Sequence, residues 1–299
     1  NSNYKENGLF VLALGKLGAR ELNFFSDLDL IFIFDEKKSQ LSIDSARKAY
    51  IKFAHRFIDI MEKPDSNGIA WKIDLRLRPD PSATSIAISK NAAILYYETM
   101  ARTWERAAFI RARVVAGNKN IGKNFLSIIS PFIWRKYLDY SVISELISLL
   151  AQLQKFKKHR GRNIKTSEFG IREIEFFTQI QQLIAGGRYP EIRINNTIEA
   201  LKVLSKNDWI SNQTSDELIT SYIFLRKIEH RLQMKNGTQT HSIPSEKMKA
   251  IVMSSFFGFK NLDNFNKTLS SSDKIVRSHT QKLFNNNIEN EKFIFENEN

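Results

Sequence analysis

The chain has 299 residues, 42% of them apolar, and 45 Lys and Arg against 32 Asp and Glu give it a formal net charge of +13. That length can bury one large core or two ordinary ones, the lack of cysteine excludes disulfides and thiolate metal sites, and no run approaches the ~18 apolar residues of a membrane span. Any metal must therefore be held by oxygen or imidazole ligands, and a cytoplasmic location is the default expectation, since Asn1 to Lys5 carry no apolar signal core. The basic excess favours a phosphate-bearing partner, although a general drift toward Lys, Asn and Ile accounts for it equally well. The chain opens without Met directly ahead of a strongly patterned segment, as a piece of a longer protein would.

In chain order, Leu9 to Leu14 and Leu28 to Phe34 are short apolar runs with β-branched or aromatic members and read as strands joined by a Gly-containing loop. Ser42 to Met61 follows helical periodicity through Ala46, Tyr50, Phe53, Ala54, Phe57 and Ile58. Ile69 to Leu77 alternates again, and Ser85 to Ser89 is a further short strand candidate. This order predicts an α+β domain around a mixed or antiparallel sheet. From about Asn91 the periodicity turns helical, with candidates at Ala92–Met100, Ser141–Lys157, Ile171–Ala185, Thr197–Ser205, Ser215–Met234, Ser245–Phe256 and Leu262–Leu283. Gly186-Gly187 and Gly237 supply helix stop signals. The expected division is a catalytic domain over 1–120 and an all-α helical-bundle domain over 121–299.

The chemistry concentrates between Gly15 and Leu30. Residues two apart on a strand share a face, so Asp27 and Asp29 project together while Leu28, Leu30, Phe32 and Phe34 pack on the other side. Two neighbouring carboxylates repel unless a cation separates them, and hard oxygen donors with room for water suit Mg²⁺ or Mn²⁺. In Lys72 to Arg78 the alternation puts Lys72, Asp74, Arg76 and Arg78 on one face. If that strand lies beside Leu28 to Phe34, Asp74 completes a three-carboxylate metal site, and Arg76 and Arg78 are poised to grip phosphate oxygens bidentately. Gly15 and Gly18 would let backbone amides approach the same phosphates, with Lys16 as a further cation and Ser26 beside the acids. Taken singly, an Asp-x-Asp is most often a solvated turn and an Arg-x-Arg a charged sheet face; the combination is what carries specificity.

These residues resemble the polymerase-β-type nucleotidyltransferase superfamily, in which a Gly is followed about ten residues later by Asp-x-Asp and a third acid lies on a later strand. The likeness extends through Gly15-Lys16-Leu17-Gly18, Arg20-Glu21-Leu22, Ser26 to Leu30, Asp74 to Pro79, Trp104-Glu105-Arg106, Arg111-Ala112-Arg113, Gly170 to Phe176 and Phe224 to Met234. Together they are similar to the bifunctional glutamine synthetase adenylyltransferase/adenylyl-removing enzymes, over about Gly8 to Pro244. Arg172 to Phe176, with Arg78-Pro79-Asp80 and Trp104-Glu105-Arg106, is more like the N-terminal, adenylyl-removing half. One departure stands out: Ser167-Glu168-Phe169 leaves only Gly170 where the family has a Gly-rich approach to this helix.

The resemblance implies removal of AMP from an adenylylated tyrosine of glutamine synthetase, with phosphate as nucleophile, ADP as product and two Mg²⁺ held by Asp27, Asp29 and Asp74. Gly15, Lys16, Gly18, Ser26, Arg76 and Arg78 are the expected nucleotide and phosphate contacts. Glutamine synthetase would be the protein substrate and a PII nitrogen-regulatory protein a possible partner. Open alternatives are the reverse-sense transfer from ATP, a nucleotidyltransferase acting on RNA or a small molecule, and an inactive docking domain. No aromatic interleaving of the basic residues supports RNA. Glu173 and Glu175, two apart on a helix, are not expected to reach one cleft together. The five histidines show no metal-ligand spacing, and the basic run Lys155 to Arg162 reads as a solvated helix end.

Overall fold

The computed structural model describes residues 8–38, 42–66, 68–136, 143–148 and 162–297, the last helix beyond residue 281 as backbone only. Contacts divide the chain into two compact units, Asn1–Lys136 with Arg193–Asn196, and Tyr137–Ile192 with Thr197–Asn299.

The first unit is built on β1 (Leu9–Ala13), every residue of which is buried. β1 pairs antiparallel with β2 (Leu28–Phe34) on one side and with β5 (Arg113–Gly117) on the other, so both its hydrogen-bonding edges are used, while packing on both sides of the sheet explains a strand apolar on both faces. On the far edge of β2 two short strands lie end to end, both parallel to it: β3 (Ile73–Asp74) beside Leu28 and Asp29, and β4 (Ala87–Ser89) beside Phe32 to Phe34. The sheet is therefore mixed, as the order of elements predicted.

Helices cover both faces. The helix α2 (Ile43–Glu62), capped by Ser42, packs on the face carrying Leu28, Leu30, Phe32 and Phe34. Phe32 meets Phe57 edge-on at 5.6 Å and Phe34 stacks on Tyr50 at 4.9 Å. Phe53, expected on the buried face of α2, is exposed. On the opposite face α3 (Lys90–Thr99) and α5 (Lys119–Ile128) contribute Tyr97 and Phe125, with Phe10 5.5 Å from Phe125. This packing moves the expected boundary from residue 120 to Lys136: α5 fills the sheet's second face, and the short helix α6 (Ser130–Ile133) after it brings Phe132 to within 5.6 Å of Tyr97.

Residues 193–196 also belong to this unit. The Asn195 amide donates to the carbonyls of Ile110 and Ala112 at 2.8 and 3.1 Å, and Arg193 lies over the Trp134 ring.

The second unit is helical. Its helices α7 (Ile171–Ala185), α8 (Thr197–Lys206), α9 (Asn212–Asn236), α10 (Lys247–Phe256) and α11 (Leu262–Asn297) agree closely with the predicted spans, except that α11 runs on to Asn297 where an end at Leu283 was expected. They share a core of Ile171, Ile174, Leu218, Leu225, Phe265 and Val276, among others. It is not purely α: Arg162–Asn163 pairs antiparallel with Ser242–Ile243. The predicted helix Ser141–Lys157 lies mostly outside the described residues, as does Lys155 to Gly161 of the basic run, while Ile143 to Ser148 is helical.

Candidate active site

The parallel register of β2 and β3 sets Asp29 directly opposite Asp74, with Leu28 opposite Ile73 and the Leu28 amide donating to the Lys72 carbonyl at 2.8 Å. The two acids expected from separate segments thus stand side by side on adjacent strands, about 5 Å apart at the backbone. Asp27 precedes Asp29 by the two residues that return a strand to the same face. Asp29 is further constrained from α1 (Gly15–Gly18), a single helical turn where a loop was expected. Gly15 has φ +52°, and a Cβ on it would sit 2.1 Å from Asp29 Oδ2. Only glycine lets the carboxylate occupy that space.

The strand read from Ile69 to Leu77 is far shorter than its alternation implied. The chain turns immediately after Asp74, because the Asp74 side chain itself accepts the Arg76 backbone N–H at 2.8 Å and so competes with the sheet ladder. This turn separates the fates of the two arginines. Arg76 folds back on Asp74, its Nε 3.0 and 2.9 Å from the two carboxylate oxygens and Nη2 bonded as well. Arg78, expected to share the phosphate-facing side, instead donates to the carbonyls of Leu75 at 2.9 Å and Pro81 at 2.8 Å. It ties the turn together, and burial lowers its pKa.

The electrostatics follow from this placement. Burial pushes the Asp74 carboxyl up, but the Arg76 hydrogen bonds and charge outweigh it and hold the group below its ordinary range. Arg76 is raised by its hydrogen bonds to Asp74 and by the charges of Asp74, Asp29 and Asp27. All three acids therefore act on one guanidinium. Among the described residues no three carboxylate or imidazole groups are gathered closely enough to form a metal site as they stand. The three expected acids share instead an electrostatic influence on Arg76, which only Asp74 is seen to bond. The donor chemistry nevertheless fits a hard cation: two carboxylates are in register, one is seated in a space reserved by a glycine, and a third lies one strand period away.

The other expected contacts are placed as follows. Gly18 is a packing residue, since a Cβ on it would meet the Arg111 carbonyl oxygen at 2.0 Å, and its amide is already bonded to the Leu14 carbonyl at 2.8 Å. It offers no free amide to a phosphate. Lys16 is buried in α1. Ser26, half-buried, follows a turn closed by its own amide on the Asn23 carbonyl.

Arg113 has a role that sequence reasoning missed: its guanidinium donates to the Leu17 and Gly18 carbonyls at 2.7 and 3.1 Å, satisfying the end of α1. The only hint was its place in an Arg-Ala-Arg run.

Glu105 is buried and structural. It accepts the Arg102 amide at 2.8 Å and the Tyr96 hydroxyl at 3.1 Å at the start of α4 (Thr103–Phe109), and burial raises its pKa. In the second unit Glu173 and Glu175 are both buried, on different partners: Glu173 accepts the Phe169 amide and the Thr280 hydroxyl, and Glu175 the Tyr222 hydroxyl.

A mixed sheet with this strand order, flanked by helices and carrying paired carboxylates at one end of β2, defines a polymerase-β-like nucleotidyltransferase domain followed by a helical one. Comparison with known families agrees: residues 1–128 match glutamate-ammonia ligase adenylyltransferase, and residues 145–284 match GlnD PII-uridylyltransferase. The match to the adenylyltransferase family covers less than half of the chain and falls on the unit that carries the paired carboxylates.

Among curated relatives, the bifunctional glutamine synthetase adenylyltransferase/adenylyl-removing enzyme of Bradyrhizobium sp. is 44% identical over 283 residues, which is 93% of this chain and 29% of that protein. The protein of the same name from Xanthobacter autotrophicus is 42% identical over 283 residues, with the same 93% and 29% shares. That of Rhizobium meliloti is 42% identical over 284 residues, again 93% and 29%. The chain thus spans less than a third of the length of the curated relatives it matches.

Proposed function

We propose that this chain removes the adenylyl group from an adenylylated tyrosine of glutamine synthetase by Mg²⁺-dependent phosphorolysis. The observation that carries this reading is the in-register pair Asp29 and Asp74, with Asp27 beside them and Arg76 in the field of all three. The relatives' printed name supports the substrate, and the Gly-Ile-Arg-Glu-Ile-Glu-Phe run from Gly170 to Phe176 supports the removing half.

In the proposed reaction a phosphate oxygen forms a bond to the adenylyl phosphorus while the bond from that phosphorus to the tyrosine oxygen breaks. The electron pair leaves with the phenolic oxygen, which then takes a proton from water, and the products are ADP and unmodified tyrosine. Phosphate is already anionic near neutral pH, so no strong general base is needed. The leaving phenol, with a reference pKa of ~10, is the group that requires help.

Asp27, Asp29 and Asp74 would hold one or two Mg²⁺, which supply charge stabilisation to the attacking and leaving oxygens of an in-line displacement. Arg76 offers a planar fork to the phosphate oxygens, and Gly15, Lys16 and Ser26 remain candidate nucleotide contacts. Arg78 and Gly18 position the site without touching substrate. A PII-type regulator is a proposed partner, supported by the match of residues 145–284 to the PII-uridylyltransferase family.

The relatives are bifunctional, so transfer from ATP onto unmodified glutamine synthetase is the second reading. The test supplies two mixtures to the purified chain with Mg²⁺: adenylylated glutamine synthetase with phosphate, and unmodified glutamine synthetase with ATP. ADP from the first alone is the expected result. AMP incorporation in the second alone would reverse the assignment.

A further inference from the structure

Arg76 is the most accessible member of the site, with 84% of its side chain exposed, whereas the Asp74 carboxylate it covers is 12% exposed. Its head bonds both oxygens of that carboxylate and lies in the field of Asp29 and Asp27. Guanidinium N–H groups and a divalent cation need the same carboxylate lone pairs and repel one another, so the two cannot fully occupy the cluster together.

A second contact makes an exchange feasible. The Arg76 backbone amide bonds Asp74 Oδ1 at 2.8 Å independently of the guanidinium, so Asp74 stays oriented when the side chain departs. The exposed stem lets the head swing outward without moving the backbone.

We propose that Arg76 is the exchangeable counter-ion of the Asp27, Asp29 and Asp74 cluster: a divalent cation displaces its guanidinium, and the released fork then takes the substrate's phosphate oxygens. The inference rests on the reading of those three acids as metal ligands. It orders assembly, cation before phosphate, because without a cation the arginine stays closed on Asp74. It also links the two ligands: phosphate held by Arg76 removes the cation's competitor, so each strengthens the other by the same factor.

The test is Mn²⁺ binding to the whole chain, followed by the electron paramagnetic resonance of free Mn²⁺ without phosphate or nucleotide. Wild type, Arg76→Gln and Asp27→Asn/Asp29→Asn are compared. Because the Arg76 side chain is 84% exposed, its replacement is expected to leave the fold intact, which circular dichroism of the variant checks. Arg76→Gln is expected to bind Mn²⁺ at least about fivefold more tightly than wild type, since an adjacent positive charge has been removed. The double Asn variant is expected to lose binding. With Mn²⁺ bound, Arg76→Gln should hold inorganic phosphate about tenfold more weakly.

Equal or weaker Mn²⁺ binding by Arg76→Gln, with binding still abolished in the double Asn variant, would overturn the exchange and leave the metal site standing. Binding that survives in the double Asn variant, or is absent from every form, would overturn the metal reading and the exchange with it.

Discussion

Gly15 links backbone geometry to chemistry at the scale of one residue, because its positive φ and missing Cβ make the room that Asp29 fills. Gly15→Ala is expected to cost at least about 1 kcal/mol in backbone strain and to expel the Asp29 carboxylate from its seat. Denaturant unfolding measures the first effect and phosphorolysis the second; a variant of unchanged activity would remove Gly15 from the site. Asp74→Asn keeps the shape of the side chain and one acceptor oxygen for the Arg76 backbone amide, but not the second acceptor or the charge. It is expected to lower phosphorolysis by at least about a hundredfold, with little change in thermal stability, and retention of full activity would refute the role of Asp74.

These acids were legible in the sequence because Asp-x-Asp at the head of an apolar strand and an Asp within an alternating run each declare a face. The division of labour between Arg76 and Arg78 was not legible. It depends on the turn after Asp74, which the Asp74 side chain closes on the Arg76 amide, and residue alternation carries no trace of such a local bond.

Whole elements repeat this contrast. β1, β2 and the long helices of the second unit could be read because their burial is repeated over several residues or turns. β5 was passed over: its Arg113 to Gly117 is partly exposed, and its pairing with β1 slips between Val11 and Leu12, so no clean alternation survives. α5 was missed with it, although Phe125 is among the most buried side chains of the first unit. Phe125→Ala is expected to destabilise that unit by about 3–5 kcal/mol, measurable as a lowered denaturation midpoint. A change under about 1 kcal/mol, close to the ordinary scatter of surface substitutions, would place the domain boundary back near residue 120.

At the start of α4, burial raises the Glu105 carboxyl above its ordinary value. An acid whose folded pKa exceeds its unfolded one loses stability as pH rises from the unfolded value, ~4.3, through the folded value. Glu105→Gln keeps an acceptor for the Arg102 amide and removes that charge, so its stability should decline less than wild type over this window, whereas Glu105→Ala loses the cap at a cost of about 1 kcal/mol. Parallel pH profiles for wild type and Glu105→Gln would contradict the buried-charge account.

Across the whole molecule, the net charge of +13 sets a field favourable to phosphate-bearing ligands, and no helix among the described residues is long and apolar enough to cross a membrane. The α+β order and the helical second half were both visible from periodicity. The return of residues 193–196 to the first unit was not, because the bonds of Asn195 to Ile110 and Ala112 join positions more than eighty residues apart. The match of the two halves to different family models fits a catalytic domain joined to a helical one.

The central claim is that Asp27, Asp29 and Asp74 form the centre of an adenylyl-removing reaction. The most direct measurement is phosphate-dependent ADP release from adenylylated glutamine synthetase with Mg²⁺, by wild type and by Asp27→Asn/Asp29→Asn. Release by wild type that is abolished in a folded double variant is the predicted result; equal release by both proteins, or none from folded wild type, would contradict it.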